Sequence, residues 1–172
     1  MQSAQSIARA LYRIVFRGGT PQRIQFSAPL MLTAIGALLV AVIIGGRFFF
    51  ELGMVEIGLV LFTLLSGLYI GTALLTRTVP RPRLRASLLT ILLLLAIGSL
   101  LLLPLIPAKD VAYLPLIAGG LVLLAVLSGA TNALHYARGG SRANAALLAL
   151  AFTALLGAFY ATLRWLLETV FS

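Results

Sequence analysis

The chain has 172 residues, of which 61% are hydrophobic and only 10% charged, with a mean hydropathy of +1.09 and a formal net charge of +9 at pH 7. A soluble domain is about half apolar and about a quarter charged, so an ordinary globular fold is excluded. Cysteine is absent, which rules out disulfides, thiolate metal sites and cysteine nucleophiles.

Residues Ser3 to Phe16 place Ala4, Ile7, Ala8, Leu11, Ile14 and Val15 at helical spacing, with Arg9, Arg13 and Arg17 at intervals of four on the opposite face. This pattern predicts an amphipathic helix in the membrane interface, within a segment 1–20 that Gly18-Gly19-Thr20-Pro21 ends. Such a helix anchors the chain or docks a partner. No cleavable signal peptide is expected, because the first apolar run begins only at Phe26.

A hydrocarbon core of about 30 Å takes roughly 20 helical residues. Five stretches of segment 21–172 meet that length: Phe26 to Ile44, Ile57 to Thr76, Leu88 to Leu105, Val111 to Leu134 and Ala143 to Trp165. Open strands leave backbone groups unpaired in lipid, and the runs lack barrel alternation. The predicted fold class is therefore all-α: a polytopic membrane protein of five transmembrane helices preceded by the amphipathic interfacial helix. The third span is the richest in leucine and is expected to meet lipid more than protein. Pro80, Pro82 and Pro107 are expected to stop helices. Phe48, Phe49, Phe50, Tyr113 and Trp165 fall at one interface and Phe26 and Tyr136 at the other, as an aromatic belt requires.

Five crossings put the polar segments alternately in two compartments. Arg9, Arg13, Arg17, Arg23, Arg77, Arg81, Arg83, Arg85, Arg138 and Arg142 share one side, ten of the 13 basic residues. All four acids, Glu51, Glu56, Asp110 and Glu168, share the other side with Arg47, Lys109 and Arg164. The positive-inside rule then predicts a cytoplasmic N-terminus and a periplasmic or extracellular C-terminus. Arg outnumbers Lys twelve to one, a bias of GC-rich bacterial genomes, and the bacterial inner membrane is the expected location. Arg9, Arg13, Arg17, Arg81, Arg83 and Arg85 are expected to contact anionic lipid rather than nucleic acid.

A shift of 62 residues superposes Gly58-Leu59-Val60-Leu61 on Gly120-Leu121-Val122-Leu123 and Leu65-Ser66-Gly67 on Leu127-Ser128-Gly129, seven identities in ten positions. Ala34-Ile35-Gly36 falls on Ala96-Ile97-Gly98 and Arg23 on Arg85 at the same shift. The pattern predicts a parallel repeat of two hairpins, 23–77 and 85–139, with a fifth helix at 143–167 outside the symmetry. Each copy carries small residues every four positions, Thr63, Gly67 and Gly71 in the first and Ala125, Gly129 and Ala133 in the second. These faces are expected to pack helices, within one subunit or between copies.

Catalytic, cofactor and metal sites are not predicted. The sequence has no Ser-His-Asp set, paired carboxylates, phosphate loop or HExxH. His135, beside Tyr136, lacks a second ligand at i±4. Arg164 and Glu168 are spaced for an ion pair. Ser66, Tyr69, Ser128, Thr131 and Asn132 lie near the inner halves of the second and fourth spans, as candidates for a small polar cavity or for hydrogen bonds between helices.

Five spans, a cytosolic N-terminus, basic second and fourth loops and the segment Tyr136-Ala137-Arg138-Gly139-Gly140-Ser141-Arg142-Ala143 resemble the Yip family of five-helix membrane proteins. That resemblance implies membrane organisation or trafficking rather than catalysis. The residues themselves support a non-catalytic scaffold or accessory subunit of a membrane complex, with lipids and other subunits or further copies as partners. The alternative is a small channel, carrier or lipid-handling protein working between the two hairpins.

Overall fold

Serines set three of the six α-helix starts. The computed structural model describes residues 3–171 other than Phe50, Lys109 and Ala112, and leaves the side chains of Arg23, Phe49, Pro115, Glu168, Val170 and Phe171 undescribed. Ser3 Oγ accepts from Ser6 N at 3.3 Å and opens α1 (Ala4–Arg17). Ser27 Oγ accepts from Leu30 N at 3.3 Å and opens α2 (Ala28–Ile44), which continues through a π-helical turn at Gly45–Phe49. Glu56 Oε2 accepts from Gly53 N at 2.9 Å at the head of α3 (Met54–Thr76). Ser141 Oγ accepts from Asn144 N at 3.2 Å at the head of α6 (Arg142–Phe171). The serines satisfy donors that the first helical turn leaves orphaned.

One of the three prolines expected to stop helices does the opposite. Pro82 sits in the first turn of α4 (Arg81–Leu102), where a missing N–H costs nothing and a fixed φ suits the helix. It therefore helps to begin a helix rather than stopping one. Pro107 lies inside the 3₁₀ turn Leu103–Ala108 that prolongs α4. α5 (Leu114–Arg138) ends on Gly139, at φ 71°, the left-handed region that glycine enters without strain.

Among the described residues there is no strand, and the helices α2 to α6 are long and apolar enough to cross a membrane. The chain is thus an all-helical, multi-pass membrane protein. Helix direction alternates, which gathers the arginine clusters at one end of the bundle. Arg83 lies over the Tyr136 ring at 5.7 Å and Arg85 over Phe26 at 5.7 Å. At the opposite, acid-bearing end Arg164 Nη2 meets Glu56 Oε1 at 3.6 Å, joining α6 to α3. The expected partner of Arg164, Glu168, has its side chain outside the described residues, as do those of Arg23, Phe49 and Phe50 named above.

α4 is the centre of the bundle, not its lipid-facing edge. Leu89 and Thr90 are fully buried, and Leu92, Leu93, Leu94 and Ala96 join Ala34 and Leu38 of α2 in one apolar core. The expectation that the leucine-rich span meets lipid is overturned for a plain reason. Acyl chains are as apolar as leucine, so composition does not tell a lipid contact from a protein one. Close approach of α4 and α5 is secured by small residues, with Ser87 Oγ donating to the Ala133 carbonyl at 3.0 Å and Ala133 wholly buried.

The two hairpins pack differently. α4 and α5 lie along one another, whereas α3 touches α2 and α4 lightly and leans on α6. Position 67 faces Leu156 of α6, while its counterpart, position 129, faces Leu94 of α4 and Val15 of α1.

Candidate functional site

A polar cluster and an apolar chamber lie within the bundle, one on either side of α5. The first holds α1. That helix buries Ala10, Leu11 and Ile14 against the bundle and leaves Arg9, Arg13 and Arg17 exposed. Its last carbonyls have no partner within the helix. Asn132 Nδ2 donates to the Ile14 carbonyl at 2.6 Å, and Ser128 Oγ donates to the Val15 carbonyl at 2.8 Å. Asn132 Oδ1 in turn accepts from Arg142 Nη2 at 2.8 Å and Nε at 3.2 Å. The chain then turns at Gly18, φ 62°, and Gly19 N donates to the Arg13 carbonyl at 2.9 Å. The positive φ favours glycine at this turn, and a Cβ there would also displace the Arg142 guanidinium from Asn132.

The second is a chamber of about 690 Å³ between α3, α4, α5 and α6, within the range of small-molecule sites and open along part of its side, where Leu74, Leu123 and Leu148 are exposed. Thr63, Gly67 and Gly71 of α3 form one wall; Phe152, Leu156 and Tyr160 of α6 form the next. Ile91 and Leu95 of α4 and Leu127 and Leu134 of α5 complete it. The space exists because α3 and α6 pair through glycines while standing off from α4. Gly71 lets the Phe152 ring approach, with 3.1 Å from its Cζ to where a Cβ would sit. Phe62 and Phe159 pack at a centroid distance of 6.2 Å toward the acid-bearing end.

Polar groups in the chamber are few. Thr72 and Thr153 return their hydroxyls to the carbonyls of Leu68 (2.6 Å) and Ala149 (2.9 Å). Thr63 is 5% exposed and its Oγ1 has no hydrogen-bond partner. Arg138 lines the arginine-rich end beside Thr78 and is the single charged residue of the lining.

The polar residues singled out in the sequence are not brought to one place. Ser128 and Asn132 face α1, Tyr69 is 77% exposed, and Ser66 is half-buried on α3. Thr131 is half-buried on α5. Of the small-residue faces, Gly67 and Gly71 meet α6, Gly129 meets α4 and α1, and Ala133 meets α4; Ala125 is half-buried. Arg81, Arg83 and Arg85 are exposed, like the arginines of α1. Arg17 stands 5.9 Å from the Tyr12 ring centroid. His135 is half-buried, and its Nδ1 has no partner. Among the described residues no three of His, Asp and Glu gather into a metal-binding group.

Sequence reasoning treated Arg138 and Arg142 only as topological charges and Thr63 only as a small residue. No local signal marks them further, because their roles depend on helices distant in sequence. No family model, curated protein or solved structure matches this chain, so the comparisons lend the likeness to the Yip family no support beyond topology and the segment Tyr136 to Ala143.

Proposed function

We propose that this chain is a non-catalytic protein of the bacterial inner membrane that holds one amphiphile in the chamber, with the anionic headgroup at Arg138 on the cytoplasmic side. One observation carries the reading: four helices line an apolar, partly open space whose single charged lining residue is an arginine at one end. Acyl chains are as apolar as the chamber wall, so little is gained by moving a chain in from the bilayer. Preference for a particular molecule therefore resides at its polar end, where a guanidinium binds carboxylate or phosphate through two parallel bonds.

The shared side of ten arginines supports the cytoplasmic orientation through the positive-inside bias, with the C-terminus outside. In that orientation α1 lies in the inner-leaflet interface. Its Leu11–Ile14 face meets the bundle, the exposed Tyr12–Phe16 pair meets acyl chains, and Arg9, Arg13 and Arg17 meet anionic headgroups. The 62-residue repeat supports descent from one duplicated hairpin, the second copy keeping a closed pairing and the first opening to admit α6.

Protein purified in mild detergent is expected to retain an anionic amphiphile in stoichiometric amount by native mass spectrometry. Arg138→Gln is expected to bind palmitate about tenfold more weakly, the loss of one charge-assisted contact. Protein that carries no amphiphile, or an Arg138→Gln variant of unchanged affinity, overturns the reading.

A second reading, an accessory subunit or homo-oligomer, is favoured by α6, which is nearly unburied within the chain and exposes Ala151, Ala154 and Ala158. Small residues allow helices to approach closely in lipid. Gentle extraction and size-exclusion chromatography with light scattering are then expected to yield a fixed-ratio partner or a second copy; a monodisperse monomer counts against it.

A further inference from the structure

The chamber is open where its wall is apolar. Leu74 of α3, Leu123 of α5 and Leu148 of α6 line it and are exposed. On helices that cross a membrane, such an opening faces acyl chains rather than water. Thr72 and Thr153 add little polarity, because their hydroxyls are bonded to carbonyls of their own helices. On α3 the lining runs from Val60 to Leu75, about 22 Å along the helix axis. The hydrocarbon of one leaflet is about 15 Å deep, so the space takes the full length of one bilayer chain.

Charge marks one end. Arg138 lines the chamber there, and all four acids of the sequence belong to the opposite end of the bundle. The exposed Arg77 and Arg81 flank the turn from α3 to α4, whose Thr78 lines the same mouth. Val79 of that turn shares one buried cluster with Ala137, the neighbour of Arg138. An anionic headgroup at this end lies among guanidiniums with no carboxylate competing for them, and the guanidinium fork matches a phosphate.

We infer that the occupant is a two-chain anionic phospholipid of the inner leaflet, with its phosphate at Arg138, one acyl chain in the chamber and the other in the bilayer past the exposed leucines. This inference rests on the chamber being an amphiphile site and names the class of its ligand. A closed pocket would shut out the second chain; the open side leaves it in lipid. The anionic amphiphiles that give a cytoplasmic leaflet its negative surface are phospholipids of this kind.

The test titrates the full-length protein in detergent micelles with four probes, read by native mass spectrometry: palmitate, palmitoyl lysophosphatidate, palmitoyl-oleoyl phosphatidate and the phosphatidylcholine of the same chains. Wild type is expected to bind the two phosphatidates within about threefold of one another, since the second chain only exchanges one apolar medium for another. Phosphatidylcholine is expected to bind about tenfold more weakly, because its ammonium adds a like charge among the arginines. Arg138→Gln is expected to weaken phosphatidate about tenfold. Gly67→Leu keeps every arginine but drives Leu156 into the chamber, and is expected to lose phosphatidate binding. In wild type, a phosphatidate carrying a diazirine midway along each chain is expected to label Phe152 or Leu156. Rejection of the two-chain phosphatidate by about tenfold or more relative to its lyso form overturns the assignment, as does equal affinity for phosphatidylcholine. Binding that survives Gly67→Leu unchanged, or label confined to residues outside the chamber, overturns it as well. In each of these cases palmitate binding by wild type leaves the amphiphile site standing. Failure of all four probes to bind wild type overturns that site and this inference with it.

Discussion

Gly129→Leu is expected to prevent the protein from reaching a stable fold, whereas Gly67→Leu leaves it folded. Both glycines are buried, and at both a Cβ would fall on a leucine methyl, of Leu94 for Gly129 and of Leu156 for Gly67. What differs is the room behind the leucine. Leu94 is 8% exposed in the core shared by α1, α2 and α4, and Val15 of α1 also stands 3.4 Å from the new Cβ position. No neighbour there has space to yield. Overpacking of that kind costs about 1–3 kcal/mol and sometimes more, and it also unseats α1. Leu156 lines the chamber and can swing into it, so Gly67→Leu fills the site instead of breaking the fold. Size-exclusion profiles after graded heating, read with amphiphile binding, check both. A stable Gly129→Leu protein, or a Gly67→Leu protein that still binds amphiphile normally, contradicts this account.

Asn132→Leu is expected to release α1 from the bundle. The substitution orphans the Ile14 carbonyl and strips Arg142 of its acceptor, leaving Ser128 as the remaining side-chain bond to the helix end. Removing one partner of a buried polar pair costs about 1–3 kcal/mol, more where a charged group is left behind. Trypsin cleavage at Arg9, Arg13 or Arg17 in inside-out vesicles is expected to accelerate about tenfold or more, since proteolysis follows the population of the open form. Asn132→Asp keeps the acceptor for Arg142 but loses the donor to Ile14, and its cleavage is expected to be intermediate. Equal protection of all three proteins would mean that apolar packing alone seats α1.

What could be read from the sequence follows from which physical signals are local. Five spans of sufficient length and hydropathy need no knowledge of neighbours, and the five crossing helices match them. Their ends were less legible. α4 starts at Arg81 because charged residues and a first-turn proline are compatible with helix beyond the apolar run. The centrality of α4 was not legible, since leucine is equally at home against lipid and against protein. In α1 the apolar stripe was visible, but Leu11 and Ile14 pack on the bundle, a destination that periodicity alone does not specify. Ser128 and Asn132 stood out as polar residues in an apolar span. Their acceptors are backbone carbonyls of α1, and carbonyls carry no residue identity. The chamber left no trace at all, because a void arises from how α3 and α6 diverge from α4 rather than from any residue.

The fastening of α3 to α6 at the acid-bearing end has a directional consequence. The Glu56–Arg164 pair and the Phe62–Phe159 contact both lie there, and Glu56 also anchors the start of α3 through Gly53. Any widening between the two helices is therefore greatest at the other end, beside Arg138. If the proposed amphiphile site is occupied, a molecule then enters and leaves most readily beside Arg138, and storage or presentation within one leaflet is the expected behaviour rather than transfer across the bilayer.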